Sequence, residues 1–228
     1  MSLQLIDRVI ERVTLIDDDP SVRAGYRLHV EDLNLSSDEI EGPIGNVDDF
    51  IENLKKGANG IICDYHLKSR LYSQVDGDVL VSKMYQSKLP VVLCTRWDDA
   101  AASIRSRRRY IPIILKPDDL SDKSLRDAFE TCVNEFRGVF AEQRRPWKAL
   151  VRIESARAIA GDGFRLSVIV PAWDSSCGVE VDVVKGENSL FEGLVDDVLA
   201  GGIGRAFAQV NLGAENADDL FFSDWEIR

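Results

Sequence analysis

Four runs in the first half of the chain are built of apolar or β-branched residues at every position: VTLI at 13–16, IIC at 61–63, VVLC at 91–94 and IIL at 113–115. A strand with one face in water alternates apolar and polar side chains, so an unbroken run is a strand buried on both faces, as in a parallel sheet covered by helices. The intervening segments have the helical period. Val47, Phe50, Ile51 and Leu54 predict a helix within 46–60, Val79, Leu80 and Met84 one over 77–88, and Leu125, Phe129, Val133 and Phe136 one over 121–142. Asp19 and Pro20 suit the cap and first turn of a helix over 21–33. DEIEGPI at 38–44 is a weak strand, the apolar runs extend to strands over 89–97 and 110–117, and DDAAASIRSRRR at 98–109 is a helix. The first ten residues, with Leu5, Ile6, Val9 and Ile10, predict a short extra helix in an extension over 1–11. Residues 1–145 therefore read as one α/β domain, a (βα)5 doubly wound sheet.

Past EQRRPW at 142–147 the pattern changes to strands: KALVRIESARAI, a GDG turn, FRLSVIVPAW, GVEVDVV, a helical stretch NSLFEGLVDDVLA, then RAFAQVNLG and LFFSDWEIR. Three strands, a helix and two strands over 146–228 predict a small mainly-β domain, with an OB-like barrel or an unrelated small β fold both open. Such barrels bind nucleic acid through basic, aromatic grooves. Here residues 147–228 hold seven Lys and Arg against fourteen Asp and Glu, a net of −7 within a whole-chain charge of −11. A surface of that sign repels phosphate, which argues against nucleic acid and favours a protein partner. No stretch of 18 apolar residues is present, so no membrane span is expected. Asp7, Arg8, Glu11 and Arg12 interrupt any signal-peptide pattern. Cys63, Cys94, Cys132 and Cys177 are widely spaced with no CxxC, the usage of reduced buried thiols in cytoplasm.

Each buried run of the first domain ends on a polar residue. Asp17 and Asp18 follow the first strand, Asp64 the third, Thr95 the fourth and Lys116 the fifth. In an open parallel sheet ligands bind outside the carboxyl ends of the strands, where strand order reverses, and in the order 2-1-3-4-5 that point lies between the first and third strands. Three carboxylates gathered there repel one another unless a hard divalent cation sits among them, which points to Mg²⁺. An aspartate beside Mg²⁺ is a competent nucleophile towards phosphorus, and a hydroxyl and an ammonium supply donors for the phosphoryl oxygens.

LIDDDPSVR, IICDYHL, VVLCT and ILKP together resemble the response-regulator receiver domain of two-component signalling over residues 12–140, and the separations of 46, 31 and 21 residues between Asp18, Asp64, Thr95 and Lys116 suit that family. The resemblance implies a flavodoxin-like fold with Asp64 as phosphoacceptor. It implies Mg²⁺ held by Asp18 directly, by Asp17 through water, by Asp64 and by the backbone carbonyl of His66. Thr95 and Lys116 bind the phosphoryl group. His66 and Trp97 fall where the family tunes phosphate lifetime. The chain departs from the pattern at Arg96, where a small residue is usual, at Ile113, where an aromatic switch residue is usual, and at Lys68, where proline is common; the loop to the Asp76-Gly77 pair is also longer. Arg96 either covers the phosphoryl group or turns out to Asp98 or Asp99. RSRRR at 105–109 is either a docking patch or a solvated helix end whose cations complement the helix dipole. The implied function is a cytoplasmic response regulator rather than an enzyme acting on a separate substrate. A histidine kinase or phosphotransfer protein phosphorylates it, and its β domain contacts a protein output partner. A phosphate reservoir in a phosphorelay, a homodimer and, last, a DNA-binding regulator remain as alternatives.

Overall fold

The computed structural model describes residues 2–57, 59–96, 101–159, 163–184 and 189–227, so the expectations for Trp97, Asp98, Asp99 and most of the GDG turn lie outside the described residues. The chain divides into two compact units, one of Met1–Ala100 with Tyr110–Val139, the other of Ala101–Arg109 with Phe140–Arg228.

The unalternating runs of the first unit do form a parallel sheet. Strands β3 (Arg12–Ile16), β4 (Ser36–Ile40), β5 (Asn59–Asp64), β6 (Val91–Cys94) and β7 (Ile114–Leu115) lie in the order β4-β3-β5-β6-β7, which is the 2-1-3-4-5 order of a flavodoxin-like sheet. Leu15, Ile16, Ile61, Ile62, Val92 and Leu93 are fully buried, as a sheet covered on both faces requires. Around it stand α1 (Pro20–Asp32), α2 (Val47–Leu54), α3 (Gly77–Gln86) and α5 (Asp122–Phe136); α4 (Ala101–Arg107) belongs to the second unit. Local chemistry fixes the helix starts. Asp19 accepts from the Ser21 amide ahead of Pro20, Asn46 accepts from the amides of Asp48 and Asp49, and Ser121 and Ser124 close a capping box.

The N-terminal extension corrects the helix expectation. It is a hairpin of β1 (Leu3–Gln4) and β2 (Val9–Ile10), with Leu3 opposite Ile10 and both buried. Leu3 and Leu5 turn towards the core and Gln4 away from it, the alternation of extended backbone. Strand β7 is shorter than the run at 110–117 because Arg108–Tyr110 form a 3₁₀ turn and Pro112 has no N–H to donate.

The second unit is mainly β, an antiparallel sheet of β8 (Trp147–Ile159), β9 (Gly163–Val170), β10 (Asp174–Val184), β11 (Gly204–Val210) and β12 (Phe222–Glu226) in the order β10-β9-β8-β11-β12, with α6 (Ser189–Leu199) between its third and fourth strands. Alternation works as expected in a sheet with one covered face: Val151, Ile153, Leu166, Val168, Ala206 and Ala208 form a core with Val195 and Val198 of α6. No ladder joins β10 to β12 among the described residues, so the sheet is open rather than closed into a barrel. Helix α4 packs on β10. Its arginines are used inside this unit. Arg105 pairs with Asp218, the Arg144 guanidinium donates to the carbonyls of Arg108 (3.4 Å) and Arg109 (3.2 Å), and Arg109 lies over the rings of Phe140 (5.0 Å) and Phe221 (5.5 Å). No described helix is long and apolar enough to cross a membrane, and all four cysteines are free thiols.

Candidate functional site

Parallel register assembles the acids. Ile16 is paired with Cys63, so Asp17, just past β3, and Asp64, the last residue of β5, stand side by side at the sheet's edge, with Asp18 immediately after. The pairings Asp64 with Cys94 and Cys94 with Leu115 bring Thr95 and Lys116 to the same edge. Asp17, Asp18 and Asp64 each offer a carboxylate oxygen, and these oxygens lie within 4.8 Å of one another. At that spacing three negative charges repel strongly, the more so where burial lowers the local dielectric.

Asp17 carries most of that strain. It is 3% exposed, its Oδ1 accepts from the Asp19 amide at 2.8 Å, and its Oδ2 accepts from the Tyr26 hydroxyl at 3.2 Å. Burial, with the charges of Asp64 and Asp18 adding to it, pushes its carboxyl up to about 6 against the pull of those two donors. Asp64 is half-buried at the end of β5, accepts from the His66 amide at 2.8 Å, and is likewise raised by burial. Asp18 accepts from the Ser69 hydroxyl, and the Arg70 Nε stands 4.0 Å from the same Oδ2. Asp19 is outside the cluster: it caps α1, and the Ser21 hydroxyl and amide hold its carboxyl below the usual range. The donor set is hard oxygen throughout, and two of its members are raised by burial, so these residues fit a small divalent cation such as Mg²⁺.

The other residues singled out in the sequence are placed less uniformly. Thr95 is buried at the end of β6, its amide donating to the Leu115 carbonyl at 2.9 Å. Lys116 is exposed before the 3₁₀ turn Pro117–Asp119, and no ion pair joins it to Asp64 among the described residues. Arg96 is exposed, and His66 is exposed with its ring edge-on to Tyr65 at 4.7 Å. Ile113 is half-buried against the sheet core.

Four contributors went unread in the sequence. Tyr26 and Arg23 come from α1, the latter donating from Nη1 to the Asp17 carbonyl at 2.5 Å and from Nε to Glu39 at 3.2 Å. Tyr26 lies between Val22 and Val30 at i,i+4 spacing, which signals only a packed face. Ser69 and Arg70 lie in the long loop after β5, where no periodicity exists to read.

An open parallel sheet in this order is a flavodoxin-like α/β fold, and here three acids stand at its carboxyl edge. The solved structures similar to this chain include receiver domains. A response regulator receiver domain protein from Clostridium thermocellum has 14% identity, with 57% of this chain and 100% of that chain covered and a TM-score of 0.43. A CheY-like receiver domain protein from Methanospirillum hungatei has 17% identity over 56% of this chain and 97% of that chain, with a TM-score of 0.38. The signal receiver domain of an HD domain-containing protein from Pseudomonas fluorescens has 15% identity over 60% of this chain and 95% of that chain, with a TM-score of 0.42. No family model and no curated protein matches the sequence.

Proposed function

We propose that this protein is a cytoplasmic two-component response regulator that takes a phosphoryl group onto Asp64 from a histidine kinase or a phosphotransfer protein. The observation that carries the reading is the convergence of Asp17, Asp18 and Asp64 within 4.8 Å at the carboxyl edge of the sheet. Mg²⁺ held by Asp17, Asp18, Asp64 and the carbonyl of His66 supplies the positive charge that lets three carboxylates and a phosphoryl group share one site.

In this reading an Asp64 carboxylate oxygen attacks phosphorus as the bond to the donor's leaving group breaks, giving an acyl phosphate. The Thr95 hydroxyl donates to one phosphoryl oxygen, and the Lys116 ammonium, on its flexible stem, neutralises another. Tyr26 and the Asp19 amide keep Asp17 oriented. Hydrolysis of the acyl phosphate resets the site, so the protein turns over only its own phosphoryl group.

A phosphate-reservoir reading draws on Ile113, which has no ring to rotate inward where the family has an aromatic. The switch reading is favoured by α4, which begins at Ala101, shortly after Thr95, and packs with the second unit. Thr95 thus lies a few residues ahead of α4 in the chain, and the strand-rich stretch 147–228, with its net charge of −7, fits a protein partner better than DNA.

Incubation with Mg²⁺ and acetyl phosphate, followed by intact mass, tests the reading. One hydroxylamine-labile phosphoryl adduct is expected on the wild type and none on Asp64→Asn. A full adduct on the variant refutes Asp64 as the acceptor.

A further inference from the structure

The loop between β5 and α3, residues 65–76, is pinned at both ends and distorted in the middle. Leu67 and Tyr72 are buried, Lys68 pairs with Asp76 at 2.8 Å, and the Ser73 amide donates to the Leu67 carbonyl at 2.9 Å. Between these anchors Arg70 and Leu71 both hold left-handed backbone, with φ of 51° and 58°. That conformation is unfavourable for any residue with a Cβ, and two in succession persist only where the surroundings impose them. Leu71 gains nothing in return, since it is 89% exposed. What the distortion does achieve is to set two consecutive residues on one carboxylate: the Ser69 hydroxyl donates to Asp18 Oδ2, and the Arg70 Nε stands 4.0 Å from the same oxygen.

We infer that Ser69 and Arg70 are a plug on the cation site, holding Asp18 when no divalent ion is bound and releasing it when one binds. The inference rests on the reading of Asp17, Asp18 and Asp64 as the Mg²⁺ site. A guanidinium a few ångströms from the ligand oxygen repels an incoming dication, and Mg²⁺ tolerates little departure from its own ligand geometry. The Ser69 hydroxyl likewise holds one lone pair of Oδ2 and competes with the ion for that oxygen. Binding therefore displaces both side chains, and the loop relaxes out of its left-handed conformation. The length of this loop, which exceeds that usual in receivers, thereby acquires a purpose: cation occupancy is written into the exposed surface around Leu71.

The test uses the full-length protein and Mg²⁺ alone, titrated calorimetrically at fixed ionic strength into wild type, Ser69→Ala, Arg70→Gln and Asp18→Ala. Ser69→Ala and Arg70→Gln are expected to bind Mg²⁺ about three- to fivefold more tightly than wild type, the size of an exposed ion pair or one hydrogen bond removed from competition. In wild type, Mg²⁺ is expected to speed tryptic cleavage after Arg70. Equal or weaker affinity in both variants, with Asp18→Ala still abolishing binding, overturns the plug and leaves the cation site intact. Slower cleavage after Arg70 with Mg²⁺ also overturns it. A wild type that binds no better than Asp18→Ala removes the cation site and the plug together.

Discussion

Asp17 is the most deeply buried acid of the triad, and the hydrogen-bond donors to its carboxylate among the described residues are both uncharged, the Asp19 amide and the Tyr26 hydroxyl. Its raised value, about 6, makes the metal-free protein pH-sensitive in a defined direction. An unfolded aspartate titrates near 4. Between about 4 and 6 the folded chain therefore binds more protons than the unfolded chain, and by linkage its stability falls as pH rises through that window. At about 1.4 kcal/mol per unit, the loss reaches roughly 3 kcal/mol before any screening is allowed for. In Asp17→Asn the amide oxygen keeps the bond from the Asp19 amide, the NH2 group stands where Oδ2 was and donates to a re-oriented Tyr26 hydroxyl, and the side chain carries no charge. With EDTA present, the variant is expected to outlast wild type in urea at neutral pH, and the gap between them should close on acidification. Parallel profiles would place the strain elsewhere. The acids were readable in the sequence because a strand's period fixes where it ends and a charge at that point has no packing role. Tyr26 was not, because the same side chain serves equally as core, and only docking α1 on the sheet aims its hydroxyl at Asp17.

The first turn of α3 shows what a short motif means once elements pack. The Asp76-Gly77 pair reads as a turn, yet Gly77 is required for space rather than for backbone freedom. A Cβ there would lie 1.8 Å from the Asp64 carbonyl oxygen and 3.1 Å from the Tyr65 Cα, both backbone atoms that cannot step aside. The Gly77 amide also donates to the Tyr65 carbonyl at 2.7 Å, so α3 starts against the backbone of Asp64 and Tyr65. Gly77→Ala is expected to destabilise by about 2–3 kcal/mol in urea and to lower acetyl phosphate labelling, because Asp64 must move. Gly25, exposed on α1 with nothing within 4 Å of its absent Cβ, is the contrast. There Ala is expected to stabilise by about 0.5–1 kcal/mol without touching the site. Equal effects at the two positions would contradict the close approach. The same distinction explains which elements were legible. β3, β5 and β6 announce themselves because burial on both faces needs unbroken apolar runs. β4 is SSDEI, a polar edge strand whose bounds are set by its register with β3 and by Arg12 pairing with Asp38 at 2.9 Å, contacts that only the tertiary fold supplies. The N-terminal hairpin escaped because two residues per strand are too few for a period to show.

At the scale of the whole molecule, sequence composition drew a boundary at 145 and 146, where strand-rich sequence begins. The second unit nevertheless takes in residues 101–109. Local pattern cannot reveal this, since α4 has an ordinary helical sequence and what recruits it lies far along the chain. Arg144 donates to the carbonyls of Arg108 and Arg109, just past the end of α4. Asp218 takes Arg105, and Phe140 and Phe221 lie beneath Arg109. RSRRR is therefore mostly committed to its own unit rather than held out in solvent. This arrangement separates a switch from a reservoir by experiment. In a switch, loading Asp64 changes Thr95 and the chain that follows it, and the change reaches α4 and the strand it packs on, β10. In a reservoir, the response stops at the acid triad and the loop beside it. Hydrogen exchange of the full chain with Mg²⁺, with and without acetyl phosphate, reads both regions at once. Altered exchange is expected in residues 101–109 and 174–184, and Arg144→Ala should raise exchange in 101–109 roughly five- to tenfold before any phosphate is added, the worth of about one hydrogen bond to each of two carbonyls. If loading alters only residues 64–72, the second unit receives no signal through α4, and the protein stores phosphate without reporting it.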